Sequence, residues 1–311
     1  MITKPIGILD PEGKCPNPLT GKPYSKLYSH IAENGAPNLK IKNPGGGWKH
    51  SVCYKTRNDF FKLLRDNQAV IVVSGTGTGK TVMYPKLVSH YYDYKHPIVV
   101  TIPTRKAIDS NAGYSAKCMD VELGYEVAYA HGDEQVQYAP ERTKLLYATD
   151  GYISALIQGD PLLSNYSAIL IDEAHTRGAN IDILLANVAQ IALQRPEFKI
   201  IPMSATIDPK VFIDFFKRAG LKYDLYELPG VPNFPVEHIF NTKSLKINEV
   251  QGDLMLDQIE DLLMKDTGNI LGFVTSEATG EKNKRALNAR LMKNPKKYPN
   301  IPLIGTLGGK T

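Results

Sequence analysis

From Asn58 onward the apolar residues follow two alternating rhythms. Phe60, Phe61, Leu63 and Leu64 fall at helical spacing and predict a helix over 58–67. Ala69 to Val73 is an unbroken, largely β-branched apolar run, as expected of a strand buried on both faces of a parallel sheet. The same strand rhythm returns in HPIVVTIPT, YEVAYA, TKLLYATD, SAILIDEAH and FKIIPMSAT, separated by the helical patterns KAIDSNAGYSAKCM, GYISALIQ and IDILLANVAQIALQ. Such alternation predicts an α/β fold with a parallel sheet flanked by helices. Residues 1–50, rich in Pro, Gly, Lys and Asn, have little periodicity and read as an irregular extension. The domain proper is expected over 51–230, closed by the turn-rich ELPGVPNFPVEH. Residues 231–311 then read as the start of a second α/β unit, with a helix around Leu254 to Met264 and a strand NILGFVT.

Between the first strand and the helix expected from Lys80 lies SGTGTGKT, Ser74 to Thr81. Glycines at 75, 77 and 79 allow a tight turn that aims backbone N–H groups at one anion, and the positive end of the helix adds to that field. This is a P-loop, formed by Ser74, Gly75, Thr76, Gly77, Thr78, Gly79, Lys80 and Thr81, with Ser74 where the pattern usually begins with glycine. In that motif Lys80 neutralises the outer phosphates and the Thr81 hydroxyl is a ligand of Mg²⁺.

A second constellation stands about ninety residues downstream. The apolar strand Ala168 to Ile171 ends in Asp172 and Glu173. A P-loop enzyme needs an acid on the strand next to the phosphate loop to hold Mg²⁺, the place expected for Asp172, and a neighbouring carboxylate to orient and deprotonate water, the role expected for Glu173. Two acids there would also suit the first turn of a surface helix.

Composition narrows the class. The 311 residues suffice for about two domains with a sizeable core. Three widely spaced cysteines argue for a reducing compartment, and the seven histidines do not combine with them in any zinc pattern. With no apolar signal region and no run of membrane-spanning length, the expected setting is intracellular and away from membranes. The net charge of +5 is unevenly spread: residues 1–58 carry nine Lys and Arg against three acids, residues 281–311 carry eight against one, and the middle is net negative by eight. Both basic ends suit contact with a polyanion, or simply a solvated surface.

DEAH at 172–175, followed after a helix and a strand by SAT at 204–206, resembles the core of a superfamily 2 helicase of the DEAH-box/RNA helicase A-like group. The resemblance runs in order over roughly residues 50–311: GTGTGKT, VTIPTRKA, YATDGYISALI, DEAH, SAT, the PGVPNFPVE linker and GNILGFVT. PKL after the P-loop and PIVVTIPT also resemble large-DNA-virus members of the group, which would put the protein in the host cytoplasm or the virion.

The resemblance implies two RecA-like domains, ATP and Mg²⁺ in the cleft between them, and RNA across their top. On it, Lys80, Thr81 and Asp172 hold the phosphates and metal and Glu173 activates water. His175, Ser204, Ala205 and Thr206 couple the nucleotide state to the strand, and Pro103, Thr104, Arg105, Thr149, Asp150 and Gly151 contact RNA. The family's paired arginines are Thr104-Arg105 here, so one phosphate contact is expected to be missing. The resemblance also implies that PNIPLIGTLGGKT falls inside an incomplete second domain. No segment resembles the QxxGRxGR motif, whose arginines reach the γ-phosphate and are worth roughly 10³–10⁵ in rate. An RNA helicase is the expected function. The alternatives are another P-loop motor acting on DNA, or a module that binds ATP or RNA with little turnover.

Overall fold

A computed structural model of the chain describes residues 15–25, 51–75, 78–132, 134–136, 141–205, 208–228, 237–240, 246–265, 268–298 and 302–306. The chain divides into two compact units, Met1–Pro235 and Val236–Thr311.

The first unit is built on one sheet. Its strands are β1 (Ala69–Ser74), β2 (Ile98–Thr101), β3 (Val127–His131), β4 (Glu134–Val136), β5 (Leu145–Ala148), β6 (Ala168–Ile171), β7 (Lys199–Ser204) and β8 (Tyr223–Leu228). They lie in the order β4-β3-β5-β2-β6-β7-β1-β8, all parallel except the antiparallel pair β3–β4. The helices are α1 (Val52–Lys55), α2 (Arg57–Asp66), α3 (Lys80–Tyr91), α4 (Arg105–Met119), α5 (Asp150–Gly159), α6 (Ala179–Gln194) and α7 (Lys210–Ala219).

Because side chains alternate along a strand, each apolar run serves two cores. Val70, Val72, Val100, Tyr147, Leu170 and Met203 face the core shared with α2, α3 and α4. Ile71, Val99, Leu146, Ile169, Ile171 and Ile200 face the one shared with α5, α6 and α7. This two-sided burial is why the strands read as continuous hydrophobic stretches.

Two expectations need correction. The strand next to β1 is not the one that ends in Asp172: β7 pairs with both β1 and β6 and lies between them. Strand order rests on non-local pairing, which spacing along the chain does not encode. The expected closing segment also begins later, since Glu227 and Leu228 complete β8, which pairs with all of β1.

The second unit contains α8 (Ile247–Val250), α9 (Asp253–Lys265) and α10 (Glu277–Lys293). Leu256, Leu287, Leu291 and Tyr298 form a small core, and Arg290 on α10 bridges Asp253, Asp257 and Glu260 on α9 at 2.5–3.2 Å. The helix expected around Leu254 to Met264 is α9. The strand expected at NILGFVT is not present: residues 269–274 have no ladder partner among the described residues, and Leu271 and Phe273 are exposed. β propensity without a neighbouring strand leaves the backbone unpaired.

Residues 15–25 contain no helix or strand, but Asn17 donates from Nδ2 to the carbonyls of Met119 and Asp120, and Ser25 bonds both carboxylate oxygens of Asp120. Trp48 and the final GGKT lie outside the described residues. None of the three cysteines is in a disulfide, and among the described residues no helix is long and apolar enough to cross a membrane.

One buried cation contributes a pH dependence. Lys86 on α3 is fully buried and donates to the Cys118 carbonyl at 3.0 Å, in the last turn of α4, where a positive charge suits the helix dipole. Burial nonetheless lowers its pKa from 10.5 to about 8, opposed by its interaction with Cys118. Folding therefore disfavours the ammonium form. Between about pH 8 and 10.5 the unfolded chain holds this proton more tightly, so stability rises with pH across that window. Lys86→Met is expected to remove this rise, worth about 2 kcal/mol between pH 7.5 and pH 10, when urea unfolding of both proteins is compared at those two values.

Candidate active site

The chemistry-bearing residues lie along one edge of the sheet, at the carboxyl ends of the parallel strands, where open α/β sheets bind ligands. Register explains their alignment. Val73 is opposite Ser204, Ile171 opposite Pro202, and Thr101 opposite both Ile171 and Ala148, so the loops leaving β1, β7, β6, β2 and β5 emerge as one row.

The phosphate loop leaves β1 at Ser74. The Thr78 hydroxyl donates to the Gly75 carbonyl at 3.0 Å and lies 3.1 Å from the Ser74 hydroxyl, bracing the turn from inside. Cys53, on α1, lies beneath it and donates to the Thr78 carbonyl at 3.4 Å. Burial pushes this thiol up to about 11, so it acts as a packed donor and not as a nucleophile. Gly79 has φ +78°, in the left-handed region, and its carbonyl accepts from the N–H groups of Val82 and Met83 to start α3. Thr76 and Gly77 lie outside the described residues.

Lys80 and Thr81 open α3 and meet the acids that follow β6. The Thr81 hydroxyl donates to Asp172 Oδ2 at 2.5 Å, and the Glu173 N–H donates to Asp172 Oδ1 at 2.9 Å. Asp172 is 2% exposed, and burial raises its pKa against the lowering influence of those hydrogen bonds and of Lys80. Lys80 Nζ lies 3.1 Å from Glu173 Oε1. Glu173 has φ +49°, a left-handed conformation that costs a non-glycine residue roughly 1–2 kcal/mol, and the turn carries its carboxylate toward Lys80. His175 Nδ1 stands 3.2 Å from Glu173 Oε2 and 3.3 Å from the Ser204 hydroxyl, joining the end of β7 to the acids. Ala205 follows Ser204, half-buried, and Thr206 lies outside the described residues.

Two residues that lie behind this site, Tyr147 and Ser115, were not found from the sequence. Pro85 sits inside α3 and has no N–H to offer the Thr81 carbonyl four residues earlier. The Tyr147 hydroxyl, from β5, donates to that carbonyl at 3.1 Å, and the Ser115 hydroxyl of α4 lies 2.6 Å from it. An unsatisfied buried carbonyl would cost about 1–3 kcal/mol. The available signal was Pro85 itself, which obliges the fold to supply a donor from elsewhere.

The residues expected to touch a nucleic-acid strand fall in two groups at the ends of β2 and β5. Pro103, Thr104 and Arg105 are exposed, and Thr104 precedes α4 without capping it. The Arg105 guanidinium passes so close to Gly132 that a Cβ there would stand 3.0 Å from Nη2. Thr149 caps α5 by accepting from the Tyr152 N–H at 3.2 Å, and Gly151 is exposed. Asp150 is buried, with its pKa raised by burial and partly offset by the Thr101 hydroxyl.

A family model described as DEAD/DEAH box helicase matches residues 55–214. A protein of Acanthamoeba polyphaga mimivirus named as an ATP-dependent RNA helicase is 35% identical over 274 residues, spanning 87% of this chain and 37% of its own. The ATP-dependent RNA helicase HrpA of Borreliella burgdorferi is 35% identical over 228 residues, spanning 72% of this chain and 27% of its own. The chain thus spans about a quarter to two fifths of the length of these relatives.

The left-handed turn at Gly79 gives a direct test. Gly79→Ala is expected to cost about 1–2 kcal/mol in urea unfolding, leave the protein folded by circular dichroism, and abolish binding of a fluorescent ATP analogue.

Proposed function

The chain belongs to the DEAD/DEAH box helicases, with a RecA-like α/β domain at residues 55–214, and from that premise we propose that it is an ATP-dependent RNA helicase of the DEAH type. One observation carries the reading. Lys80, Thr81, Asp172 and Glu173, drawn from two loops ninety residues apart, converge within hydrogen-bonding distance at the carboxyl edge of the sheet. RNA as the strand is supported by the names of the two relatives.

The donor set suits its ligands. The Thr81 hydroxyl and Asp172 carboxylate are hard oxygen donors, side by side, as magnesium requires. Bound there, Mg²⁺ would supply charge neutralisation to the phosphates of ATP. Lys80 opposes the same negative charge. Because Glu173 pairs with Lys80 at 3.1 Å, an incoming γ-phosphate competes with this carboxylate for the ammonium. Released, Glu173 orients water and takes its proton. His175 touches both Glu173 and Ser204, so the state of the carboxylate reaches the end of β7. Pro103, Thr104, Arg105, Thr149 and Gly151 form the RNA-facing rim, with Arg105 contributing the cationic phosphate contact.

We read residues 1–50 as an extension, 51–230 as the ATP-binding domain and 231–311 as the beginning of a second RecA-like domain. The two-unit division, with its boundary at Pro235, supports that reading. Cysteines without disulfides fit a reducing, cytoplasmic setting.

Steady-state ATP hydrolysis with and without single-stranded RNA tests the proposal, beside Glu173→Gln. The expected result is RNA-stimulated turnover that falls by about 10²-fold or more in the variant, while its ATP affinity equals or exceeds that of the native chain because the competitor for Lys80 is weakened. Turnover indifferent to RNA, or unaffected by Glu173→Gln, would overturn it.

A further inference from the structure

The Thr81 carbonyl is an acceptor that its own helix cannot satisfy, because the residue four positions on is Pro85. Tyr147 supplies the donor at 3.1 Å. A tyrosine hydroxyl has one proton, and a carbonyl can only accept. With that proton committed to Thr81, the 2.6 Å contact to Ser115 has a fixed polarity: Ser115 donates to the Tyr147 oxygen. Burial raises the Tyr147 pKa, which keeps the hydroxyl protonated, and both side chains are fully buried. The result is a directed chain of hydrogen bonds from Ser115 through Tyr147 to the backbone of Thr81.

Each end of this chain is attached to something functional. Thr81 places its own hydroxyl 2.5 Å from Asp172. Ser115 lies on α4, ten residues after Arg105, so one rigid helix spans the roughly 15 Å between them. Tyr147 stands two residues before Thr149, at the end of the strand that feeds the second group of rim residues. The hydroxyl is therefore a point where both rim segments meet the residue that holds Asp172. The Lys86 bond to the Cys118 carbonyl anchors the far end of α3 and α4.

We propose that Tyr147 and Ser115 are positioning residues that couple occupation of the strand-binding rim to the geometry of Thr81 at the nucleotide site. This rests on the proposed function, since it takes Arg105 and the 149–151 turn as RNA contacts. A displacement of α4 or of the β5 end on binding RNA changes the donor offered to the Thr81 carbonyl, and through it the turn that presents the Thr81 hydroxyl. Both side chains are fully buried, so neither is offered to a ligand directly. Their effect belongs to the coupling between the two ligands, which linkage requires to be equal in both directions.

The test uses the 311-residue chain and its Tyr147→Phe and Ser115→Ala variants. Anisotropy of a fluorescein-labelled single-stranded RNA gives its Kd with and without saturating Mg²⁺ and a β,γ-non-hydrolysable ATP analogue, and a fluorescent ATP analogue gives nucleotide affinity alone. The native chain is expected to show about 5-fold or greater coupling. In both variants the ratio is expected to fall to within about twofold of unity, with each separate affinity within about threefold of native. A merely structural role would shift melting temperature and the separate affinities while leaving the ratio intact. Native coupling retained in Ser115→Ala overturns the inference, as does a native ratio of one with both ligands bound. A chain that binds neither ligand overturns the proposed function, and the inference with it.

Discussion

The short hydrogen bond from the Thr81 hydroxyl to the Asp172 carboxylate is the constraint on which the site depends. Its partners follow strands that are not neighbours, since β7 separates β1 from β6. Closing 2.5 Å across an intervening strand requires both loops to lean over the end of β7, which brings Ser204 beneath them and within reach of His175. The parallel register makes this feasible, because it ends all three strands on one edge. Lys80, next to Thr81, then meets Glu173, next to Asp172.

Several groups around that closure are strained or orphaned, and each has a local answer. Glu173 adopts a left-handed backbone while its N–H satisfies Asp172. Pro85 leaves the Thr81 carbonyl without its helical donor, and Tyr147 supplies one from the sheet. Asp172 is buried against its ionisation preference and held by two hydrogen bonds. At the active-site edge, Glu173 and Arg177 have left-handed backbones and Asp172 is a buried acid, a combination expected where stability is traded for function.

What the sequence made legible was local. The apolar run Ala69 to Val73, the glycines of the loop and the acids after Ile171 are each read within a dozen residues, and the structure sets Thr81 against Asp172 and Lys80 against Glu173. The position of β7 between β1 and β6 was not legible, because strand order is fixed by packing among distant segments. Nor was β8, whose YDLYEL alternates too weakly to stand out beside a turn-rich stretch, yet pairs fully with β1. NILGFVT carries a strong strand signal but finds no ladder among the described residues, so propensity alone did not make a strand. Tyr147 and Ser115 were hidden for another reason: a buried hydroxyl pair has no motif, and only the missing N–H of Pro85 pointed toward it.

If the Thr81–Asp172 pair is the seat of a magnesium–nucleotide complex, metal and ATP must bind as a unit. Calorimetric titration of ATP into the chain, once with Mg²⁺ and once with EDTA, measures this most directly. The account expects ATP affinity at least tenfold higher with the metal, about 1.4 kcal/mol. Equal affinity under both conditions, or no heat of binding in either, would contradict it.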